Sequence, residues 1–196
     1  MIIGLTGGTG TGKSLISGFF AQNGFEVIDY DMVTREIYTP GSECLGEITK
    51  AFGSDVLNDD GSLNRKLLGS IVFADSHKLE LLNKTVYKYI LAATDEKIKN
   101  SHDKKLLLDA PTLFDAGLNE KCDYVVGVTA DKKLRLKRVV ERDGIDEEHA
   151  RNRIASQKED SFFKENCDFI IENNGDIADA QACVDKILNE ISRAKD

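Results

Sequence analysis

The sequence predicts an α/β fold in which a five-stranded parallel sheet is flanked by helices and carries a helical insertion. Three observations predict this class. A glycine-rich segment, GLTGGTGTGKS at residues 4–14, follows an apolar strand pattern and precedes a helical one. Further strand and helix patterns alternate along the chain, which is typical of βαβ units with parallel strands. Residues 42–100 contain helical repeats and no strand pattern, which predicts a helical subdomain within the domain.

Short apolar segments predict the strands. The first precedes the glycines, and the second follows Gly24, which ends the intervening helix. This order of strand, glycine loop, helix and strand is a βαβ unit, so its strands should be parallel. The predicted strands are residues 1–6, 25–29, 105–109, 124–129 and 169–172. The first helix is predicted over residues 14–23, with Leu15, Ile16, Phe19 and Phe20 on one side.

Polar residues indicate where the remaining helices begin. In the insertion, Ser62 and Ser76 are placed to cap two helices. A basic helix over residues 131–142 and a second helix over residues 146–157 are predicted between the last two strands. Asp176 begins an amphipathic helix at the end of the chain.

Composition and charge restrict the class of protein. The 196 residues suit a single domain, residues 1–196, with enough hydrophobic residues (41%) to fill a core. No apolar run approaches the roughly 20 residues of a membrane-spanning helix, and no signal peptide precedes the glycines, so we expect a cytoplasmic protein without a membrane partner. The net charge of −8 disfavours nucleic acid, because phosphate backbones select basic surfaces. We favour a monomer.

The cysteines and histidines show no metal-binding pattern. The four cysteines are far apart and form no CxxC pair, and the histidines, His77, His102 and His149, are equally scattered. We therefore expect reduced cysteines and no zinc site.

Residues 7–14 fit the pattern G-x-x-x-x-G-K-[ST] at every fixed position, between a strand and a helix. In such a P-loop, backbone N–H groups converge on phosphate oxygens, which requires glycine where φ is positive or where a Cβ would collide with ligand. The helix that begins near Lys13 adds the positive end of its dipole. Lys13 would contact the β and γ phosphates of ATP, and the Ser14 hydroxyl would ligate Mg²⁺. The sequence thus predicts a P-loop NTPase fold rather than a flexible glycine turn.

Two aspartates, Asp29 and Asp31, end the second predicted strand, near the expected end of the phosphate chain. Positions two apart share a face in extended chain, so both carboxylates could point towards the γ-phosphate. One could orient a substrate hydroxyl and take its proton, while the other supports Mg²⁺ or substrate binding. Spacing alone leaves a second interpretation equally open, in which Asp31 caps a helix that begins at Met32.

Two further patterns extend the predicted site. Leu106-Leu107-Leu108-Asp109 is an apolar strand that ends in a carboxylate, as expected of a Walker B position near the metal. In the basic helix, Arg135, Arg138 and Arg142 fall on one face. We interpret this face as a lid over the transferring phosphoryl group, where arginine stabilises charge. The alternative is a solvated surface helix.

Taken in order, these stretches resemble the dephospho-coenzyme A kinase family. GLTGGTGTGKS is followed by VIDYD and, after a helix, by PG, as in the opening of that family. The similarity continues nearly to the end of the chain, and an ordered series of motifs is far more specific than a P-loop alone. The other stretches that carry it are FGSDVLNDDGSLNRKLLGSIVF, LLLDAPTLFDAGL, RVVERDG, ARNRIASQ and CDFIIENNG.

The resemblance implies a reaction and a division of the chain. ATP would phosphorylate the ribose 3′-hydroxyl of dephospho-coenzyme A, giving coenzyme A and ADP in the last step of coenzyme A biosynthesis. The family has a nucleotide-kinase P-loop fold with core, substrate and lid regions. In this chain the helical subdomain at residues 42–100 corresponds to the substrate region, and residues 131–165 correspond to the lid.

The resemblance also implies roles for particular residues. Asp31 matches the catalytic carboxylate of the family, which favours a general base or hydroxyl-orienting group over a helix cap. The implied catalytic residues are Asp31, Lys13 and Arg138. The implied ATP-binding residues are Gly8, Gly10, Thr11, Gly12, Lys13, Ser14, Leu15, Arg142 and Asn173, with Asn173 near the adenine and Ser14 on Mg²⁺. The implied substrate-binding residues are Asp29, Asp31, Arg65 and Asp109.

The sequence departs from the family pattern on the substrate side. Tyr30 stands between the two aspartates, where a small residue is usual, and Tyr87-Lys88 stands where a His-Pro pair is common. Phe163 occupies the place of a lysine, and Lys164 follows it. None of these departures changes Lys13, Ser14, Asp31 or Arg138.

Two other functions are possible for a P-loop chain. A different kinase that acts on a nucleoside or nucleotide would share the mechanism and differ in residues 42–100, which should define the acceptor pocket. A GTP-dependent switch would carry Asn-Lys-x-Asp after a strand. The sequence contains only Asn83-Lys84-Thr85-Val86, which lacks the aspartate and falls in a predicted helix.

Overall fold

The structure is a computed structural model that describes residues 1–101 and 104–194. His102, one of the scattered histidines, lies outside the described residues. The described chain divides into two compact units. The first contains residues 1–28, 104–114 and 118–194, and the second contains residues 29–101 and 115–117. None of the described helices combines the length and the apolar character needed to cross a membrane.

The described chain forms one sheet and a series of helices. The strands are β1 (Ile2–Gly7), β2 (Phe25–Asp29), β3 (Lys105–Asp109), β4 (Tyr124–Thr129) and β5 (Phe169–Glu172). The helices are α1 (Lys13–Gln22), α2 (Tyr30–Ile37), α3 (Glu43–Phe52), α4 (Arg65–Phe73), α5 (Ser76–Asn100), α6 (Lys132–Asp143), α7 (Glu147–Ala155), α8 (Asp160–Asn166) and α9 (Ile177–Arg193).

The sheet has the strand order β2-β3-β1-β4-β5. β1 pairs in parallel with both β3 and β4, and β4 pairs in parallel with β5. The predicted parallel five-stranded sheet is confirmed, and the bounds of β2 to β5 coincide with the predicted strands. Because β1 lies at the centre and leads into the glycine loop, it presents that loop at the carboxyl edge of the sheet, where ligands of such sheets bind.

The core of the first unit lies between the sheet and its helices. α1 and α9 pack against each other and contribute Ile16, Phe20 and Val184 to a cluster with Leu5 of the central strand. Buried parallel strands carry near-continuous apolar runs, which is why their positions could be predicted. Of the four residues predicted on one side of α1, Ile16, Phe19 and Phe20 are buried, and Leu15 is 36% exposed.

The second unit is helical, with α2, α3 and α4 each packing against the long helix α5. A single antiparallel bridge joins Leu57 and Leu63, and the described residues of this unit form no strand after residue 29. The unit begins earlier than the predicted 42–100 insertion, because it includes α2, and it also takes in residues 115–117.

The predicted caps of α4 and α5 are displaced by one or two residues. Asn64 caps α4 by accepting from the Leu67 N–H at 3.0 Å, so Ser62 is not the cap. Asp75 caps α5 in the same way, and Ser76 is the first helical residue. Asn, Asp and Ser are similarly good caps, so a sequence that offers two of them close together does not distinguish between them.

At the end of the chain, α8 was not predicted and α9 begins as expected. α8 is a short helix whose Phe163 is buried, while Lys164 turns outward and pairs with Glu172 at 2.7 Å. A capping box starts α9: Asp176 accepts from the Asp179 N–H at 2.9 Å, and Asp179 accepts from the Asp176 N–H at 3.1 Å. This reciprocal bonding satisfies two N–H groups that the helix itself leaves unpaired.

Loss of this cap should destabilise the first unit, because α9 packs its apolar face on the sheet. We expect Asp176→Ala to lower the free energy of unfolding by about 1 kcal/mol in urea denaturation. Asp185→Ala is the matched control, because Asp185 is exposed in the middle of the same helix. An equal loss in both variants would contradict a specific capping effect.

Candidate active site

Residues 7–14 form a tight loop between β1 and α1. Gly10 and Gly12 have φ values of +78° and +89°, in the left-handed region that favours glycine. The buried Thr11 closes the loop, because its hydroxyl donates to the carbonyl oxygen of Gly8 at 2.8 Å. α1 begins at Lys13, so the first N–H groups of the helix lie at the loop. The predicted P-loop geometry is therefore present.

The two glycines also allow other parts of the first unit to approach the loop closely. A Cβ built at Gly10 would lie 2.7 Å from the carbonyl oxygen of Arg135 and 2.9 Å from Val139 on α6. A Cβ at Gly12 would collide with Nδ2 of Asn173, which follows β5. Sequence reasoning explained these glycines by φ and by the ligand. The structure adds a third reason, which is close packing against α6 and Asn173.

Side chains bind the carbonyl groups of the loop from this same side. Asn173, only 3% exposed, donates from Nδ2 to the Thr11 oxygen at 2.8 Å. Arg138 donates from Nη1 to the Gly10 and Thr11 oxygens, each at 3.4 Å. In a trans peptide the C=O and the following N–H point in opposite directions. The N–H of Gly12 therefore points away from Asn173, as a loop that binds an anion requires.

Lys13 is held by a carboxylate. Its ammonium group forms an ion pair with Asp109 at the end of β3, and the two side chains are only 15% and 10% exposed. Asp109 was predicted near the metal from the way its strand ends, and the family resemblance implied a substrate contact. The structure places it beside the P-loop lysine, where it neutralises and positions that charge.

The three arginines of α6 all contact the loop. Arg135 is 2% exposed and donates from Nε to the Thr9 oxygen at 3.0 Å. Arg138 binds the loop as described, and Arg142 is exposed and donates to the Thr9 hydroxyl at 3.3 Å. The alternative of a solvated surface is therefore wrong for the buried Arg135, whereas Arg142 remains exposed.

A groove opens beside the loop within the first unit. Its volume is about 460 Å³, which falls in the usual range for small-molecule sites. Arg138 and Arg142, the two α6 arginines that are not buried, line this groove together with the start of α1. The lining residues are Gly10, Gly12, Ser14, Arg138, Glu141 and Arg142.

Asp29 and Asp31 belong to different elements. Asp29 ends β2 and caps α2, because its Oδ1 accepts from the Asp31 N–H at 2.8 Å. The helix begins at Tyr30, so Asp31 lies in its first turn and the argument from extended chain does not apply. The alternative that Asp31 caps a helix from Met32 is also wrong. Both carboxylates are exposed, and only that of Asp29 serves as the cap.

The departures on the substrate side have structural explanations within the second unit. Tyr30 is buried, and its hydroxyl lies 2.6 Å from that of Thr94 on α5, so the larger residue fills the space between two helices. Lys88 reaches Glu47 on α3 at 2.9 Å. Tyr87 faces Asp115, and burial raises the pKa of its phenol, with a smaller contribution from that carboxylate.

Arg65, predicted to bind substrate, is exposed at the start of α4. Its guanidinium carbon lies 5.0 Å from the centroid of the Tyr38 ring. The pKa of Tyr38 is raised to about 12, chiefly by burial. Tyr38 is therefore a neutral phenol, and its ring contacts the Arg65 guanidinium. The guanidinium itself stays accessible.

Sequence reasoning missed Gln157, which lies just after α7. Its side-chain oxygen accepts from the Thr9 N–H at 2.8 Å, across 148 positions of the chain. Gln157 ends the ARNRIASQ stretch that was matched to the lid, but a single glutamine carries no periodic signal. Its partner became apparent only from the fold.

The chain is similar to known proteins over nearly its whole length. A family model described as dephospho-CoA kinase matches residues 1–179. The chain belongs to the dephospho-CoA kinase family. Within that family, the dephospho-CoA kinase of Corynebacterium efficiens is 38% identical over 192 residues, which cover 96% of each chain.

Solved structures place this dephospho-CoA kinase family member in a P-loop kinase fold. The dephospho-CoA kinase from Campylobacter jejuni is similar with a TM-score of 0.71 and 27% identity, over 100% of this chain and 98% of that one. The crystal structure of TT1252 from Thermus thermophilus is similar with a TM-score of 0.84 and 25% identity, over 97% of each chain. The predicted fold class and the family resemblance are both confirmed.

Packing at Gly12 predicts a sharp difference between two glycines at α1. Gly12→Ala should cost about 1–3 kcal/mol in unfolding free energy, because it adds a strained φ and a clash with Asn173. Gly18→Ala is the control, since among the described residues no heavy atom lies within 4 Å of its Cβ position. There alanine should stabilise the helix by about 0.5–1 kcal/mol. Equal stability of the two variants in denaturant unfolding would contradict the packing argument.

Proposed function

We propose that the chain transfers the γ-phosphoryl group of ATP to the ribose 3′-hydroxyl of dephospho-coenzyme A, giving coenzyme A and ADP. The observation that carries this proposal is an intact P-loop, with its lysine held by Asp109, in a chain that matches the dephospho-CoA kinase family over residues 1–179. The loop supports a nucleotide donor, and the family supports the acceptor.

On the donor side, the backbone N–H groups of the loop and the ammonium group of Lys13 bind the phosphates. The loop residues that we propose as ATP contacts are Gly8, Gly10, Thr11, Gly12, Lys13, Ser14 and Leu15. Of these, Gly10, Gly12 and Ser14 line the groove. The Leu15 N–H itself donates to the Gly12 oxygen at 3.0 Å. Asn173 is fixed against the loop and is our proposed neighbour of the adenine.

Mg²⁺ fits the oxygen donors at this edge of the sheet. Mg²⁺ prefers oxygen ligands and takes one or two protein groups together with substrate phosphates. The exposed hydroxyl of Ser14, in the first turn of α1, has the required chemistry, and Asp109 supplies a carboxylate beside the loop. We propose Ser14 as the protein ligand. The bound ion would neutralise charge that develops on the phosphate oxygens.

On the acceptor side, Asp31 accepts a hydrogen bond from the substrate hydroxyl and takes its proton as the bond to phosphorus forms. Its carboxylate is exposed in the first turn of α2, while Asp29 is occupied as the cap. Asp29, Arg65 and Asp109 are our further proposed substrate contacts. The Tyr38 ring holds the Arg65 guanidinium through a cation–π contact, which favours binding of an anionic substrate group by this arginine.

Arg138 is our proposed catalytic arginine, with Arg142 as a second phosphate contact. The bonds from Arg138 to the loop carbonyls start from Nη1, and its guanidinium has five N–H donors in total. Both side chains line the groove. We propose residues 131–165 as the lid region and residues 42–100 as the substrate region. The net charge of −8 disfavours nucleic-acid partners, and we propose a monomer.

A substrate panel tests the proposal directly. With ATP and Mg²⁺, we expect ADP release that depends on dephospho-coenzyme A, and a product whose new phosphate is on the 3′-oxygen. Release of ADP should remain at background with adenosine or another ordinary nucleoside. A folded protein that ignores dephospho-coenzyme A and phosphorylates a nucleoside would overturn the assignment.

Asp31→Asn tests the acceptor side. The amide keeps the size of the side chain but cannot take a proton, so we expect kcat to fall by about 10²–10⁴-fold while the Kd for ATP changes little. Asp59→Asn is the matched control, because it removes an exposed carboxylate from a turn of the same unit. A kcat for Asp31→Asn equal to that of the control would remove Asp31 from the catalytic role.

A further inference from the structure

Both polar groups of the Thr9 main chain are bound by side chains from the region assigned to the lid. The Thr9 N–H donates to Oε1 of Gln157 at 2.8 Å, and the Thr9 oxygen accepts from Nε of Arg135 at 3.0 Å. Gln157 follows α7, and Arg135 lies on α6. One residue of the P-loop is thus bound on both sides by groups that are distant in sequence.

Arg135 and Gln157 are parts of one network. Nη2 of Arg135 donates to the same Gln157 oxygen at 3.4 Å, and Nη1 pairs with Asp160 at 3.2 Å at the start of α8. The guanidinium is almost completely buried, so its charge requires such partners. Because Asp160 and Gln157 hold two sides of the group, the direction of Nε towards Thr9 is fixed.

This network determines the orientation of two peptide groups. The described chain contains no cis peptide bond, so each C=O points opposite to the next N–H. Since the Thr9 C=O points towards Arg135, the Gly10 N–H points away from it. Since the Thr9 N–H points towards Gln157, the Gly8 C=O points away, where it accepts from the Thr11 hydroxyl at 2.8 Å.

We propose that Arg135 and Gln157 are positioning residues of the phosphate-binding loop, which hold the Thr9 peptide so that the Gly10 N–H points at the phosphate. The inference rests on the proposed function, since it assumes that the loop binds the phosphates of the donor. Glycine has no side chain with which to fix its own orientation, and an unfixed loop would lose entropy on binding. Donors oriented in advance avoid that cost.

If Gln157 had a purely structural role, its replacement would change the stability of the fold and leave the affinity for ADP unchanged. The test therefore measures ADP affinity. The variant is Gln157→Met, which has a similar length and no oxygen acceptor. We measure the Kd for ADP by calorimetry and follow the Gly10 amide by ¹⁵N NMR as ADP is added. One lost hydrogen bond to the loop should weaken ADP binding about tenfold. The chemical-shift change of the Gly10 amide on binding should also decrease.

Two comparison variants isolate the acceptor. Gln157→Glu keeps an oxygen at the same place, with Arg135 to offset its charge, so ADP affinity should stay within about threefold of the unaltered chain. Arg151→Met changes an exposed residue of α7 that pairs with Glu147 at 2.9 Å, and it should leave ADP affinity unchanged. If Gln157→Met does not fold, Gln157→Asn replaces it. Asparagine is one methylene shorter, so its side-chain oxygen no longer reaches the Thr9 N–H.

The outcomes separate this inference from the proposed function. The unaltered chain tests the function, because absence of turnover with dephospho-coenzyme A overturns the reaction and leaves ADP binding measurable. A folded Gln157→Met that binds ADP as tightly as the unaltered chain, with an unchanged Gly10 response, overturns the positioning role. Equal tenfold losses in Gln157→Met and Gln157→Glu would overturn it as well.

Discussion

The candidate site depends on hydrogen bonds that side chains make to the outer side of the P-loop backbone. A loop rich in glycine has few side chains of its own, so its peptide groups must find partners elsewhere or face water. Here the carbonyls of Thr9, Gly10 and Thr11 are bound from α6 and from Asn173. Because the outer carbonyls are occupied, the opposite N–H groups are left to define an anion site. The glycines permit this arrangement because they let α6 approach.

The charge distribution follows from the same arrangement. The chain carries a net charge of −8, yet the loop is bordered by Lys13 and by the arginines of α6. Asp109 keeps Lys13 paired in a setting where little water reaches either side chain. A polyphosphate bound as we propose would compete with Asp109 for that lysine, and the carboxylate would repel the negative charge of the ligand. A cation on the phosphates would offset this repulsion, which is consistent with a need for Mg²⁺.

Much of the fold could be predicted because its signals are local. Buried parallel strands are short apolar runs between turn residues, and the P-loop is a contiguous pattern. Helix starts were less certain, because Asn64 competes with Ser62 and Asp75 with Ser76 for the same role. The contact of Gln157 with Thr9 could not be predicted, since it joins residues 148 positions apart and depends on the packing of α6 and α7. No spacing rule contains that information.

The junction at the end of β2 changes the argument by which Asp31 was selected. Asp31 was selected partly from strand periodicity, but the helix begins between the two aspartates, so that Asp29 satisfies its N–H groups. This division leaves the second carboxylate in the first turn, where the helix dipole favours an anion. A carboxylate exposed at this position can accept a hydrogen bond from a hydroxyl. Phosphoryl transfer through a loose transition state demands little early proton removal. In the role that we propose for Asp31, orientation of the acceptor oxygen therefore comes first, and the carboxylate takes the proton later.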